Sequence, residues 1–279
     1  MQSDVVLHRG NSVIQHGHFN NRVYVMKLAP EEIPDILRFA DDITNKEGYT
    51  KIFVKVPESS VEIFTRNGYV TEATVPLFYQ GNEPAVFMAK YVDPKRKLVR
   101  DAPMTADILA AALDRAIERS PQVLLPDGFS LIPAHAGDVN EIAALYRSVF
   151  KTYPFPIFDP DYIKETMQGH IRYFIIRNAI QLAAVASCEI DSENKNIEVT
   201  DFATDPQFRG KGFARALLHA METDLKKEGI LLAYTIARAI SHPINLTFSG
   251  AGYLFGGLLP NNTNICGSME SMNVWYKKL

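Results

Sequence analysis

Cysteine is scarce: Cys188 and Cys266 are the only two in 279 residues. That is too few for a disulfide framework, and their spacing is not that of metal ligands. Basic charge is not in excess either. Lysine and arginine number 29 against 32 acidic residues, a net charge of −3, which argues against the basic face a nucleic-acid binder needs. Apolar runs such as "IQLAAVASC" fall far short of the ~20 residues of a membrane span. The start, "MQSDVVLHRGN", lacks the basic and apolar stretches of a secretion signal. These absences lead to the expectation of a cytoplasmic, reduced protein with no nucleic-acid or membrane partner. The one local group of histidines, His8, His16 and His18, has no further ligand type nearby, so no metal is expected.

What is present is an ordinary globular composition, 47% hydrophobic and 22% charged. The chain divides near residues 93–128, where prolines flank a helical stretch, Ala106 to Arg119, that reads as a connecting helix. Residues 1–92 form one unit and 129–279 another. In the second, periodicity and turn residues give the order β-α-α-β-β-β-α-β-α-β-β. The predicted class is therefore α/β (α+β) with a mixed sheet.

Between the third strand of that triplet and the next helix stands "DPQFRGKGFARAL". Gly210 and Gly212 can adopt backbone angles denied to other residues and let a ligand approach the main chain. Helix-start N–H groups and the helix dipole then favour an anion, with Arg209 and Lys211 as counter-charge. A pyrophosphate is the natural guest. Neither the phosphate loop of ATPases nor the dinucleotide fingerprint is present.

In this order of elements, Q-x-x-G-x-G resembles the coenzyme A site of the GNAT N-acetyltransferase superfamily, over about residues 130–279. The resemblance implies a splayed mixed sheet and acetyl-CoA as co-substrate, with no metal. It places the pyrophosphate on the backbone of Phe208, Arg209, Gly210, Lys211, Gly212 and Phe213, continuing to Ala214 and framed by Gln207. Phe202, Ala203 and Thr204 would meet the pantetheine and the thioester carbonyl. The strand "LLAYTIA" would diverge to leave a slot for the acetyl group. Two positions depart from the pattern. Phe248 stands where many relatives have a tyrosine that protonates the leaving thiolate, and Ser241 stands at a usual asparagine. Tyr253, Tyr276 and Ser241 are the alternatives for that acid.

The acceptor amine needs a base. Glu198 and Asp201 lie on the strand leading to the glycine loop; a separation of three puts them on opposite faces, so at most one is expected to face the slot. Glu198 is preferred, with Asp201 its rival. The C-terminal "NNTNICGSMESMNVWYKKL" reads as a loop carrying Asn261, Asn262, Thr263 and Asn264, followed by Glu270, a set suited to a small zwitterion. The loop "KTYPFPIFDP" adds Tyr153, Phe155, Phe158 and Asp159, which could hold an ammonium, and Lys151 or Arg147 could meet a carboxylate.

Taken together, "NNTNICGSMESMNVWYK", "TDFATDPQFRGKGFARALL" and "ARAISHPINLTFSGAGYLFGG" resemble the beta-lysine N6-acetyltransferase family, and the resemblance extends into the first unit. It implies acetylation of the terminal amine of beta-lysine to the compatible solute N6-acetyl-beta-lysine, with a lysine 2,3-aminomutase as supplier of substrate. Another small amine as acceptor, or a non-catalytic acyl-CoA-binding regulator, are the competing readings, and a homodimer is left open. The order of elements in residues 1–92 repeats the second half of the catalytic unit without the glycine cradle, as expected of a degenerate half of the same fold.

Overall fold

The computed structural model describes residues 4–115 and 124–279. The N-terminal half begins with three antiparallel strands, β1 (Val5–Arg9), β2 (Ser12–Gly17) and β3 (Arg22–Lys27). Helix α1 (Ile33–Glu47) crosses to β4 (Lys51–Pro57), and α2 (Val61–Arg66) leads to the hairpin β5 (Val70–Tyr79) and β6 (Glu83–Tyr91). Helix α3 (Ala102–Leu113) connects the halves. It starts four residues before the expected Ala106 because Pro103, in its first turn, has no N–H to leave unpaired there. The rest of the expected stretch, residues 116–119, lies outside the described residues.

The C-terminal half runs β7 (Ser130–Pro133), α4 (Val139–Val149), α5 (Pro160–Gln168), β8 (Ile171–Arg177), β9 (Leu182–Asp191) and β10 (Asn196–Thr204). It continues with α6 (Phe213–Lys227), β11 (Leu232–Arg238), α7 (His242–Gly250), β12 (Leu254–Ile265) and β13 (Ser268–Lys278). This is the order expected from sequence, with one correction. The asparagine run is not a loop: Asn261 to Asn264 belong to β12, which accommodates them through a register shift between Leu259 and Thr263 and a left-handed φ of 41° at Asn261.

All strands join one 13-stranded mixed sheet in the order β1-β2-β3-β4-β6-β5-β12-β13-β11-β10-β9-β8-β7. Its parallel pairs are β3–β4 and β10–β11, and α1 and α6 make the two crossovers. Strands β1-β2-β3-β4-β6-β5 are therefore laid out as β8-β9-β10-β11-β13-β12 are. The halves meet where β5 and β12 pair, Gly257 opposite Ala73.

Strand alternation decides which faces are buried. In β3 and β4, Val23, Val25, Ile52 and Val54 pack under Ile33, Ile36 and Leu37 of α1. Ile197, Val199 and Ala233 do the same under Phe213, Leu217, Met221 and Leu225 of α6. The alternate residues of the two halves meet each other: Tyr24, Phe53 and Phe87 share a core with Leu232, Tyr234 and Val274. The ring centroids of Phe78 and Tyr234 are 5.0 Å apart. The face of β8–β10 opposite α6 is covered by α4 and α5, through Ile142, Tyr146, Ile163, Tyr173 and Ile175. Among the described residues no helix is long and apolar enough to cross a membrane.

Asn245 ties α7 to the sheet. Fully buried, it donates through Nδ2 to the carbonyls of Arg238 (2.9 Å) and Ser241 (2.8 Å), and its Oδ1 accepts from Asn273 Nδ2 and Trp275 Nε1, both at 2.9 Å. Asn245→Leu leaves those four groups without their partner, so it is expected to cost about 3 kcal/mol. Urea unfolding followed by the emission of Trp275, the one tryptophan in the chain, measures this directly.

Candidate active site

Where α4–α5 end and the N-terminal half begins, the shared face of the sheet is left uncovered and a cavity of about 910 Å³ opens. Its floor is Glu189, Glu198, Thr200, Tyr234 and Ile236. One wall is Tyr153, Phe155, Ile157 and Tyr162; the other is Arg22, Tyr24, Met26, Phe53 and Lys55. Strands β10 and β11 pair only from Asn196–Leu232 to Glu198–Tyr234 and then part. Through that divergence the cavity reaches Phe208, Arg209, Gly210, Gly212, Phe213 and Ala214.

The glycine loop is built for an anion. Gly210 and Gly212 have φ of 80° and 77°, where a side chain would be strained. A Cβ on Gly210 would meet nothing within 4 Å. Gly212 caps the 15-residue α6 without any side-chain hydrogen bond, so the leading N–H groups of the helix remain available to a ligand. Asp205 fixes the preceding turn by accepting from the Gln207 N–H at 2.9 Å. These residues fit the pyrophosphate of coenzyme A. Ser241, Phe202 and Thr204 also line the cavity. The side chains of Gln207 and Lys211 are exposed outside it and that of Ala203 is buried in the core with Val185; for Lys211 and Ala203 it is the main chain that was expected to meet the ligand.

The carboxylates sit where β9 and β10 pair. Glu198 is directly opposite Glu189, and the two face the cavity together. Asp201 faces it too, against the expectation that only one of Glu198 and Asp201 could. A bulge between Thr200 and Ala203, with Asp201 at φ 56°, inserts one residue and resets the alternation. Asp201 is then saturated by hydroxyls: Tyr153 donates to Oδ1, Ser187 to Oδ2 at 2.5 Å and Thr200 to Oδ1 at 3.2 Å. Glu198 is served differently. Tyr234 donates to its Oε2 at 2.8 Å, and the Tyr234 oxygen in turn accepts from Lys55 Nζ at 3.0 Å.

Burial raises the pKa of all three carboxyls above the ordinary range. For Glu198, Lys55 and the Tyr234 hydroxyl pull back; for Glu189, Glu198 and Asp201 push further; for Asp201, the hydroxyl donors pull back. Burial likewise lowers Lys55, against the attraction of Glu198 and Glu189.

Several expected site residues lie elsewhere. Tyr253 is buried in the α6 core, edge-to-face with Phe248 and beneath Lys277, and does not line the cavity. Tyr276 does not line the cavity either. Asp159 is exposed and caps α5 by accepting from the Asp161 N–H. Glu270 is held by Arg238 in two hydrogen bonds, 2.8 and 2.6 Å. Asn264 ties the halves together, donating to the Phe19 carbonyl and, through its N–H, to Asn20. Arg147 donates to the Phe158 carbonyl at the surface, and Lys151 is exposed beside Gly267, so neither reaches the cavity. Asn262, Tyr153 and Phe155 do line it. Sequence reasoning missed Glu189, Tyr234, Lys55 and Arg22. The available signal was a cation within the buried strands "RVYVMK" and "KIFVKVP", on the face opposite their valines. Among the described residues no group of three or more His, Cys, Asp or Glu is arranged to hold a metal. His16 instead lies 3.1 Å from the Tyr49 hydroxyl.

Residues 139–242 match the Acetyltransferase (GNAT) family. A beta-lysine N(6)-acetyltransferase of Methanococcus maripaludis is 38% identical over 98% of this chain and 98% of its own. One of Methanosarcina mazei is 31% identical over 89% and 97%, and the N-acetyltransferase YodP of Bacillus subtilis is 31% identical over 96% of each chain. With that identity from end to end, and an anion cradle opening onto buried carboxylates, the chain belongs to the beta-lysine N(6)-acetyltransferase family of GNAT acetyltransferases.

Proposed function

We propose that the chain acetylates the terminal amine of beta-lysine, using acetyl-CoA held at the glycine loop, to give N6-acetyl-beta-lysine. The observation that carries this reading is the joining, in one cavity, of an uncapped helix start and a carboxyl cluster whose proton affinity burial has raised. The thioester supplies an activated acetyl group. The chain's residues must supply an amine free of its proton.

Glu198 takes the proton that the attacking amine loses. Its raised pKa brings it closer to neutrality, where a base is both ionised and strong enough to act. Tyr234 and Lys55 hold the carboxyl in place and compensate its charge. Asp201, filled by three hydroxyl donors, shapes the strand and supports Tyr153. No protein acid is required at Phe248: an ordinary thiol has a pKa near 8.5, so a thiolate departs readily. Ser241 is left as the hydroxyl nearest that role among the residues first considered.

The N-terminal half is, on this reading, a degenerate copy of the same fold. Its shared strand order supports that, and so does its connection from β3 to α1, which has no glycine and uses Glu32 to accept from the N–H groups of Asn11 and Ser12. A lysine 2,3-aminomutase would provide the substrate.

Thiol release from acetyl-CoA, with beta-lysine, alpha-lysine and spermidine compared side by side, tests the assignment. The expected result is the highest kcat/KM with beta-lysine, at least tenfold above the other two. Faster turnover of spermidine overturns it in favour of a polyamine acceptor. Binding of acetyl-CoA without turnover of any amine would instead support a regulator.

A further inference from the structure

We propose that Arg22, on β3 of the half that lacks the cradle, seats the carboxylate of the acceptor, so that the N-terminal half decides which amines are acetylated; this rests on the amine-acetylating reading above. Arg22 is 3% exposed and lines the cavity. Its guanidinium lies over the rings of Tyr24 and Phe53, 5.0 and 5.7 Å from their centroids. Among the described residues only Nη1 has acceptors, the Asn262 carbonyl and, at 3.5 Å, the Thr263 hydroxyl. Nε is buried without a partner, and no acceptor for Nη2 occurs among the described residues. Nor does any ion pair to Arg22. A buried guanidinium is ordinarily matched by a carboxylate.

The surroundings increase the imbalance. Lys51, fully buried next to it on β4, takes both oxygens of Glu72 at 2.9 and 3.0 Å. Arg96 spends its donors on the carbonyls of Asn20, Asn21 and Asn261, the Thr50 hydroxyl and the Met269 sulfur. The three cations have one carboxylate in direct contact, Glu72 on Lys51; Asp4 acts on Arg22 only through space, its oxygens being taken by Phe19 and Asn20. Each cation is held below its ordinary pKa by burial first; for Lys51, burial and the two arginines together outweigh Glu72 and bring it down to about 8. A visiting anion relieves this arrangement.

The cavity therefore has two poles. Tyr24 lies between them, its hydroxyl acted on by Glu198 and Glu189 from one side and by Arg22 from the other. A molecule with a carboxylate at one end and an amine at the other, separated by a flexible apolar stem, matches both. A polyamine matches only the acidic pole. Lys55 donates to Tyr234 beside Glu198, at the acidic pole, which leaves Arg22 as the cation of the other pole.

The test measures the KM ratio between 1,4-diaminopentane, which is beta-lysine without the carboxylate, and beta-lysine, in the intact chain and in Arg22→Gln and Arg22→Lys. The ratio is expected to fall at least 30-fold in Arg22→Gln, and by less in Arg22→Lys, which keeps the charge but loses the planar fork. An equal change with both amines, or an unchanged ratio, overturns the proposal, because a merely structural arginine would not distinguish them. If Arg22→Gln does not fold, the unaltered protein still decides: its KM for beta-lysinamide should exceed that for beta-lysine at least 30-fold, and equal values refute the assignment. Failure of the unaltered protein to acetylate beta-lysine at all, with turnover of 1,4-diaminopentane, counts against the substrate reading itself and is seen before any variant is made.

Discussion

Glu198→Gln is expected to lower kcat/KM for the amine by about 10²–10⁴-fold, the usual contribution of a positioned general base. The loss should come with no loss of stability. Burial holds the folded-state pKa of Glu198 above its unfolded value, so the folded chain binds that proton more tightly than the unfolded chain does. The sign follows: this carboxyl costs stability once the pH rises through the interval between the two values, and glutamine removes the cost. Tm at pH 8 is therefore expected to be equal or higher in the variant, while activity collapses. In the unaltered protein kcat/KM should fall as pH drops through a value above the ordinary carboxylate range, and Glu198→Gln should abolish that limb. Asp201→Asn gives the contrast. It disturbs the hydroxyl donors of Tyr153, Ser187 and Thr200, so its effect should appear in Tm as well as in rate. A variant in which Glu198→Gln keeps the full acid limb would remove Glu198 from the chemistry.

Gly257→Val is expected to give the largest loss of stability of any single change at the junction of the halves. Gly257 has φ of 147°, a backbone state reached by glycine almost alone. A Cβ there would stand 2.3 Å from the Glu72 carbonyl oxygen and 2.6 Å from the Ala73 Cα. Its neighbour Gly256 faces the Thr74 carbonyl at 2.9 Å from the same hypothetical atom. Both contacts are to backbone, so no rotamer relieves them. Backbone strain and overpacking together come to about 4 kcal/mol, a large share of the 5–15 kcal/mol typical of a folded chain. At about 2–4 °C per kcal/mol, thermal unfolding should shift down by on the order of 10 °C. The same substitution at Gly48, whose Cβ would meet nothing within 4 Å, carries only the strain of its φ of 72° and serves as the control.

The succession of elements was legible in the sequence because strand alternation and the glycine loop are local signals. The cradle was legible for the same reason: Gly210, Gly212 and the start of α6 are contiguous. What escaped was non-local or broke the local rule. Asp201 reached the cavity only through a bulge, which alternation cannot foresee. The asparagines of β12 read as a turn because their side chains ordinarily compete with strand pairing. Here they are occupied elsewhere: Asn261 donates to the carbonyls of Arg96 and Leu98, and Asn264 to that of Phe19. Tyr253 looked available because nothing in its neighbours tells which side of the sheet covers it. Arg22 and Lys55 came from a half whose one hint was a cation within an apolar strand, and only the packing of one half-sheet on the other brought Lys55 to Tyr234 and Arg22 into the same cavity.

The pairing of β5 with β12 gives ligand binding a mechanical meaning. Arg22 and Lys55 stand on one side of that seam and Glu198 and the glycine loop on the other, with Tyr24, Phe53, Tyr234 and Val274 pressed between. A molecule held by both sides can bind only while the seam is closed, so occupancy and closure are one equilibrium. Saturation at a hundred times the dissociation constant would add about 2.7 kcal/mol to the work of pulling the halves apart. If the acceptor bridges the two poles as proposed, it acts as a clamp on the seam as well as a substrate, and thermal unfolding should shift upward as its concentration rises.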